Sequence, residues 1–77
     1  MTKSEVLTVF AKSGRFLKPD EVRLRLGSRP DRRSFYSYLL RLARQGLLEA
    51  HRNSRDGRLA YRLTERGQAR LEYFRRR

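Results

Sequence analysis

Seventeen of the 77 residues are arginine, whereas only Lys3, Lys12 and Lys18 are lysine. Eight residues are acidic, so the chain carries a formal net charge of +12. Arginine presents a planar fork of N–H donors that fits phosphate oxygens and guanine edges, which the point charge of lysine does not. A small chain with this much like charge repels itself when compact, so the surplus points to a polyanionic partner. A GC-rich genome favours arginine over lysine whatever the function, but it does not explain the shortage of acids. Many of the cations fall in two stretches. Arg29, Arg32, Arg33, Arg41 and Arg44 form one, and Arg52, Arg55, Arg58 and Arg62 surround an Asp56-Gly57 pair in the other.

Other chemistries lack their residues. Cysteine is absent, which removes disulfides, thiolate ligands and a cysteine nucleophile. His51 is the only histidine, so no histidine-based metal site can assemble. Paired acids, His-Cys clusters and Gly-rich phosphate loops are missing as well, and the sequence predicts a protein that is not an enzyme and needs no cofactor. A chain of this length buries roughly 60–65% of its unfolded surface, enough for one core. Residues 1–77 are therefore expected to form a single domain, with residues 75–77 as a basic tail. No apolar run approaches the roughly 20 residues of a membrane span, and the first residues lack the apolar stretch of a secretory signal. The expectation is a protein without a membrane partner, working in a reducing cytoplasm.

The elements that position the arginines follow from caps and periodicity. Thr2 to Glu5 has capping-box spacing, Val6, Leu7 and Phe10 recur at helical intervals, and Gly14 stops the run, which predicts a first helix over 3–13. Phe16 and Leu17 read as a short apolar bridge. Lys18-Pro19-Asp20-Glu21 starts a second helix that ends at Gly27. Asp31 is the N-cap of a third helix over 32–45, in which Phe35, Leu39 and Leu42 follow the i, i+4, i+7 spacing of a buried stripe. At 100° per residue the opposite side carries Arg33, Ser37 and Arg44, bordered by Tyr36, Leu40 and Arg41. Residues 48–53 and 58–63 read as two strands joined through an Asp-Gly turn. Thr64 then caps a fourth helix whose apolar contacts are Leu71 and Phe74. The fold class is α+β and mostly helical.

Helix, bridge, helix, turn, helix, hairpin, helix is an order in which the second and third helices have helix-turn-helix spacing. Lys18-Pro19-Asp20-Glu21-Val22 leading to Leu26-Gly27 resembles the second helix of the winged helix-turn-helix domains. The run Tyr38-Leu39-Leu40-Arg41-Leu42-Ala43-Arg44-Gln45-Gly46-Leu47-Leu48 is similar to the end of their recognition helix. Tyr61-Arg62-Leu63-Thr64-Glu65-Arg66-Gly67 resembles the exit from their wing. The resemblance covers residues 4–74 and is closest to regulators of the MarR and PadR type.

It implies a winged helix that binds double-stranded DNA as a small transcription regulator in a prokaryotic cytoplasm or nucleoid, with the third helix in the major groove. Arg29, Arg32, Arg33, Tyr36, Ser37, Arg41 and Arg44 would then meet DNA from that helix, and Arg52, Arg55, Arg58 and Arg62 from the wing. A solvated helix face and a solubilising hairpin are the plain alternatives. Leu40 either meets a thymine methyl or covers the seam with the second helix. Tyr73 and Phe74 either form a homodimer seam or cap the core. A non-specific RNA-binding or nucleoid protein, and a protein-interaction module, are the competing functional readings.

Overall fold

The computed structural model describes residues 2–76, in the order α1 (Lys3–Ser13), α2 (Pro19–Arg25), α3 (Arg32–Arg44), β1 (Leu48–Arg52), β2 (Leu59–Leu63) and α4 (Glu65–Arg75). Each helix starts where its capping residue stands. In α1 the Glu5 N–H donates to Thr2 Oγ1 (3.1 Å) while the Thr2 N–H donates to Glu5 Oε1 (3.2 Å), a reciprocal box that satisfies two otherwise orphaned donors. In α3 the Ser34 N–H donates to Asp31 Oδ2 (3.0 Å). The end of α3 is a Schellman turn. Gly46 adopts a left-handed φ of 81°, its N–H bonds the Ala43 carbonyl, and the Leu47 N–H reaches back to the Leu42 carbonyl. That turn aims Leu47 and Leu48 into the core. Helix α4 includes Arg75, which the sequence assigns to a tail; Arg77 lies outside the described residues.

Val6, Leu7 and Phe10 of α1, Val22 of α2, Phe35, Leu39 and Leu42 of α3, and Leu71 of α4 converge on one core with Leu17, Leu26, Leu47, Leu48 and Tyr61. No polar or charged side chain among the described residues is buried in it. Phe74 packs against this cluster, whereas its neighbour Tyr73 is 51% exposed.

Strands β1 and β2 are antiparallel, with Leu48 opposite Leu63 and Ala50 opposite Tyr61. The expected bridge at Phe16-Leu17 is more than a connector. Leu17 and Tyr61 exchange both backbone hydrogen bonds, each 2.8 Å, so Leu17 adds a one-residue third strand to the hairpin. The hairpin loop is the stretch left between the two expected strands, residues 54–57. The strands stop at Arg52 and Leu59, and four residues, Ser54 to Gly57, span the bond from the Asn53 N–H to the Arg58 carbonyl. Gly57 still supplies the left-handed residue, at φ 68°.

The junction of α3, the hairpin and α4 is tight. Thr64 Oγ1 donates to the Gly46 carbonyl (2.6 Å) and accepts from the Gly67 N–H (3.0 Å), and the Thr64 N–H donates to the Leu47 carbonyl. Gly67 is pressed so closely here that a Cβ would stand 2.1 Å from the Leu47 carbonyl oxygen and 2.7 Å from Leu63 Cδ1. Alanine in place of glycine inside an open helix stabilises by about 1 kcal/mol. Gly67→Ala is expected to do the reverse and destabilise by about 1–3 kcal/mol, because the obstacle is backbone; urea unfolding of the variant reads the sign.

Candidate nucleic-acid interface

Helix α3 sends Phe35, Leu39 and Leu42 inward, so its outer stripe is Arg33, Ser37, Leu40 and Arg44, with Tyr36 and Arg41 alongside, all of them exposed. Tyr38 lies between the two sides. Its ring packs near Phe35 at 6.4 Å between centroids, and burial pushes its hydroxyl above the usual tyrosine range. Tyr36 points the other way, as helical spacing predicts, and its hydroxyl donates to Asp20 Oδ1 (3.2 Å). The two tyrosines therefore do not form one stacking surface.

A cavity of about 580 Å3 separates α3 from the hairpin. Its walls are the start of α2 (Lys18, Pro19, Asp20), the outer side of α3 (Arg32, Tyr36, Ser37, Leu40) and the hairpin (Arg58, Leu59, Tyr61). Leu40, at 40% exposure, lies on this cavity. Thus Arg32, Tyr36, Ser37 and Arg58 are brought around one groove by elements far apart in sequence. The hairpin can stand there because Leu17 holds β2 against the segment entering α2.

The remaining sequence-selected residues divide. Arg33, Arg41 and Arg44 lie on exposed turns of α3 and Arg55 is exposed in the hairpin loop; none of them, nor Arg58, forms an ion pair among the described residues. Arg52 turns its guanidinium to the Gly57 carbonyl (2.6 Å) and so braces the loop. Arg29 is committed within the fold: Nε donates to the Leu26 carbonyl (2.8 Å) and the outer nitrogen pairs with Glu5 (3.1 Å). Arg62 alternates with Tyr61 and projects from the opposite side of the sheet. There it pairs with Glu49 and lies over the Phe16 ring, 4.7 Å from its centroid, with His51 against the same ring. Arg62 is thereby separated from the groove.

The sequence marks three residues important to this geometry only as helix or turn formers. Lys18 reaches across 38 positions to Asp56, with Nζ 3.0 Å from Oδ2, and ties the hairpin loop to the start of α2. Asp56 Oδ1 also accepts the Arg58 N–H (2.9 Å). Asp20 gathers Tyr36, Arg32 (Nε 3.6 Å) and Arg23 (3.9 Å) at one oxygen. The signal for these roles is tertiary proximity, which spacing along the chain does not carry. Neither a family model, nor a curated protein, nor a solved structure matches this chain.

The Arg58 N–H, and then Lys18, hold the Asp56 carboxyl below the usual carboxylate range. A carboxyl whose pKa is depressed on folding contributes stability above its unfolded value of 3.8, and that contribution disappears as pH falls through the lower native value. Asp56→Ala is expected to lower Tm by a few degrees at pH 7. The gap to the unaltered protein should close as the pH is taken below 3.8, which thermal melts across a pH series test.

Proposed function

We propose that the protein is a winged helix that binds double-stranded DNA sequence-specifically and acts as a small transcription regulator by occupying a promoter site. Helix α3 would enter the major groove, and the β1–β2 hairpin would serve as the wing. The observation that carries this reading is the outer side of α3: it presents Arg33, Ser37, Arg41 and Arg44 with no acid of its own, directly beside a basic hairpin loop. A convex, arginine-lined helix next to a projecting loop matches the shape of a major groove and its flanking phosphates. Arg33 and Arg44 would fork onto guanine O6 and N7, and Ser37 would bond a base edge or phosphate. Arg55 and Arg58 would lie along the backbone or a narrow minor groove. The binding of nucleic acid without sequence preference is the rival outcome. A selection from random duplexes, followed by affinities for the selected and a random duplex at fixed salt, separates the two.

Two variants test the division between reading and gripping. Arg33→Ala is expected to cost roughly 1–3 kcal/mol on the selected duplex and to relax preference at one position, with Tm unchanged because the side chain points away from Phe35 and Leu39. Unchanged affinity in this variant removes α3 from the groove.

The double variant Arg55→Ala with Arg58→Ala is expected to weaken selected and random duplexes by similar factors. Removing one phosphate-bound cation lowers the log–log salt slope by about 0.9, so the slope should flatten by up to about two units. Binding isotherms over a salt series on both duplexes provide the measurement, and an unaltered slope places the hairpin off the DNA.

A further inference from the structure

Asp20 is out of place on a surface built to attract phosphate. Among the described acids, Glu5, Glu21 and Asp31 accept backbone N–H groups at helix starts, Asp56 accepts one in the hairpin loop, and Glu49 pairs on the far side of the sheet. Asp20 is the acid in the lining of the groove between α3 and the hairpin, where it draws Arg32 and the Tyr36 hydroxyl to one oxygen. The charges of that groove then largely cancel. Lys18 is neutralised by Asp56 and Arg32 by Asp20, which leaves Arg58 as the lining cation without an ion-pair partner among the described residues. The rest of the lining is Pro19, Ser37, Leu40, Leu59 and Tyr61. The arginines outside it, Arg33, Arg44 and Arg55, have no ion-pair partner among the described residues.

We propose that Asp20 is a positioning and specificity-determining residue: it holds Arg32 and Tyr36 for base edges and keeps phosphate out of the groove between α3 and the hairpin. This rests on the duplex-binding reading above. A phosphate entering the groove would meet a carboxylate within a few ångströms, a repulsion that a neutral base edge does not meet. Arg32, ion-paired to Asp20 through Nε at 3.6 Å, keeps its outer nitrogens for a ligand and is drawn towards the groove rather than towards the nearest phosphate. A guanidinium drawn to one place by its partner also loses less side-chain freedom when it binds there. The carboxylate thus lowers affinity for duplexes in general and preserves it for the one that offers the right edge.

The test uses the full chain with a selected and a random duplex. Asp20→Asn keeps an oxygen for the Tyr36 hydroxyl but removes the charge. It is expected to bind the random duplex more tightly, to steepen the salt slope by about 0.9 as Arg32 gains a phosphate, and to compress the preference for the selected duplex by roughly tenfold. Arg32→Gln, at a side chain that is 67% exposed and outside the core, gives an independent reading. It is expected to lose preference while leaving the slope as it was. In the double variant the slope should return to that of the unaltered protein. A flatter slope for Arg32→Gln alone shows Arg32 already on phosphate and overturns the inference. So does an Asp20→Asn protein that melts lower but keeps both slope and preference, since Asp20 would then serve only the first turn of α2. An unaltered chain with no preference between duplexes overturns the sequence-specific reading itself, and this inference with it.

Discussion

Two hydrogen bonds between Leu17 and Tyr61 hold the hairpin to the helices. Both residues are buried, so separating them leaves two backbone N–H and two C=O groups short of partners, at about 1–3 kcal/mol for each unsatisfied group. The pairing fixes more than one strand. It brings Pro19 and Asp20 alongside Leu59 and Tyr61 and so closes one wall of the groove. It also places Lys18 within reach of Asp56, which steadies the far end of the hairpin. A two-stranded ribbon on its own is marginal in water. Here a single residue of a third strand, a buried tyrosine and one ion pair make it part of the body.

The rest of the chain arranges itself around that attachment. Helix α3 reaches the hairpin through the Schellman turn at Gly46, and Thr64 clamps the same turn to the start of α4. The outer side of α3 and the base of the hairpin therefore meet at one corner.

The helices were legible because their signals are local. Thr2 with Glu5, Asp31, Thr64, Gly14 and Gly46 mark boundaries by chemistry that acts over three or four residues, and the i, i+4, i+7 stripe of Phe35, Leu39 and Leu42 sets the phase of α3. From that phase follows the outward set Arg33, Ser37, Leu40 and Arg44, which the structure reproduces. Features made by tertiary contact were not legible. One residue has no periodicity, so Leu17 could not announce a strand. The sequence groups Arg29 and Arg62 with the free arginines because their partners, Glu5 and Glu49, lie in other elements or across a strand pair. Asp20 looks like a helix-dipole acid, which it also is, and nothing in its neighbours along the chain reveals Tyr36 or Arg32. The loop over 54–57 lies where the Asp-Gly pair puts it, but its tie to the body was not legible: Asp56 accepts the Arg58 N–H with one oxygen and Lys18 with the other, an arrangement that needs a partner 38 positions away.

The carboxylates have a further consequence. Glu5, Asp31 and Asp56 are each held below the usual acid range, first by an arginine or a backbone N–H, so they stay ionised well into mild acid. On the other side of the balance, 17 of the 20 cations are guanidinium groups, which do not deprotonate in proteins. These three carboxylates and the guanidinium groups keep their charges from mildly acidic to mildly alkaline solution. Such a set of groups behaves as a strong ion exchanger rather than as a buffer, with counterion concentration as the variable that screens its charge.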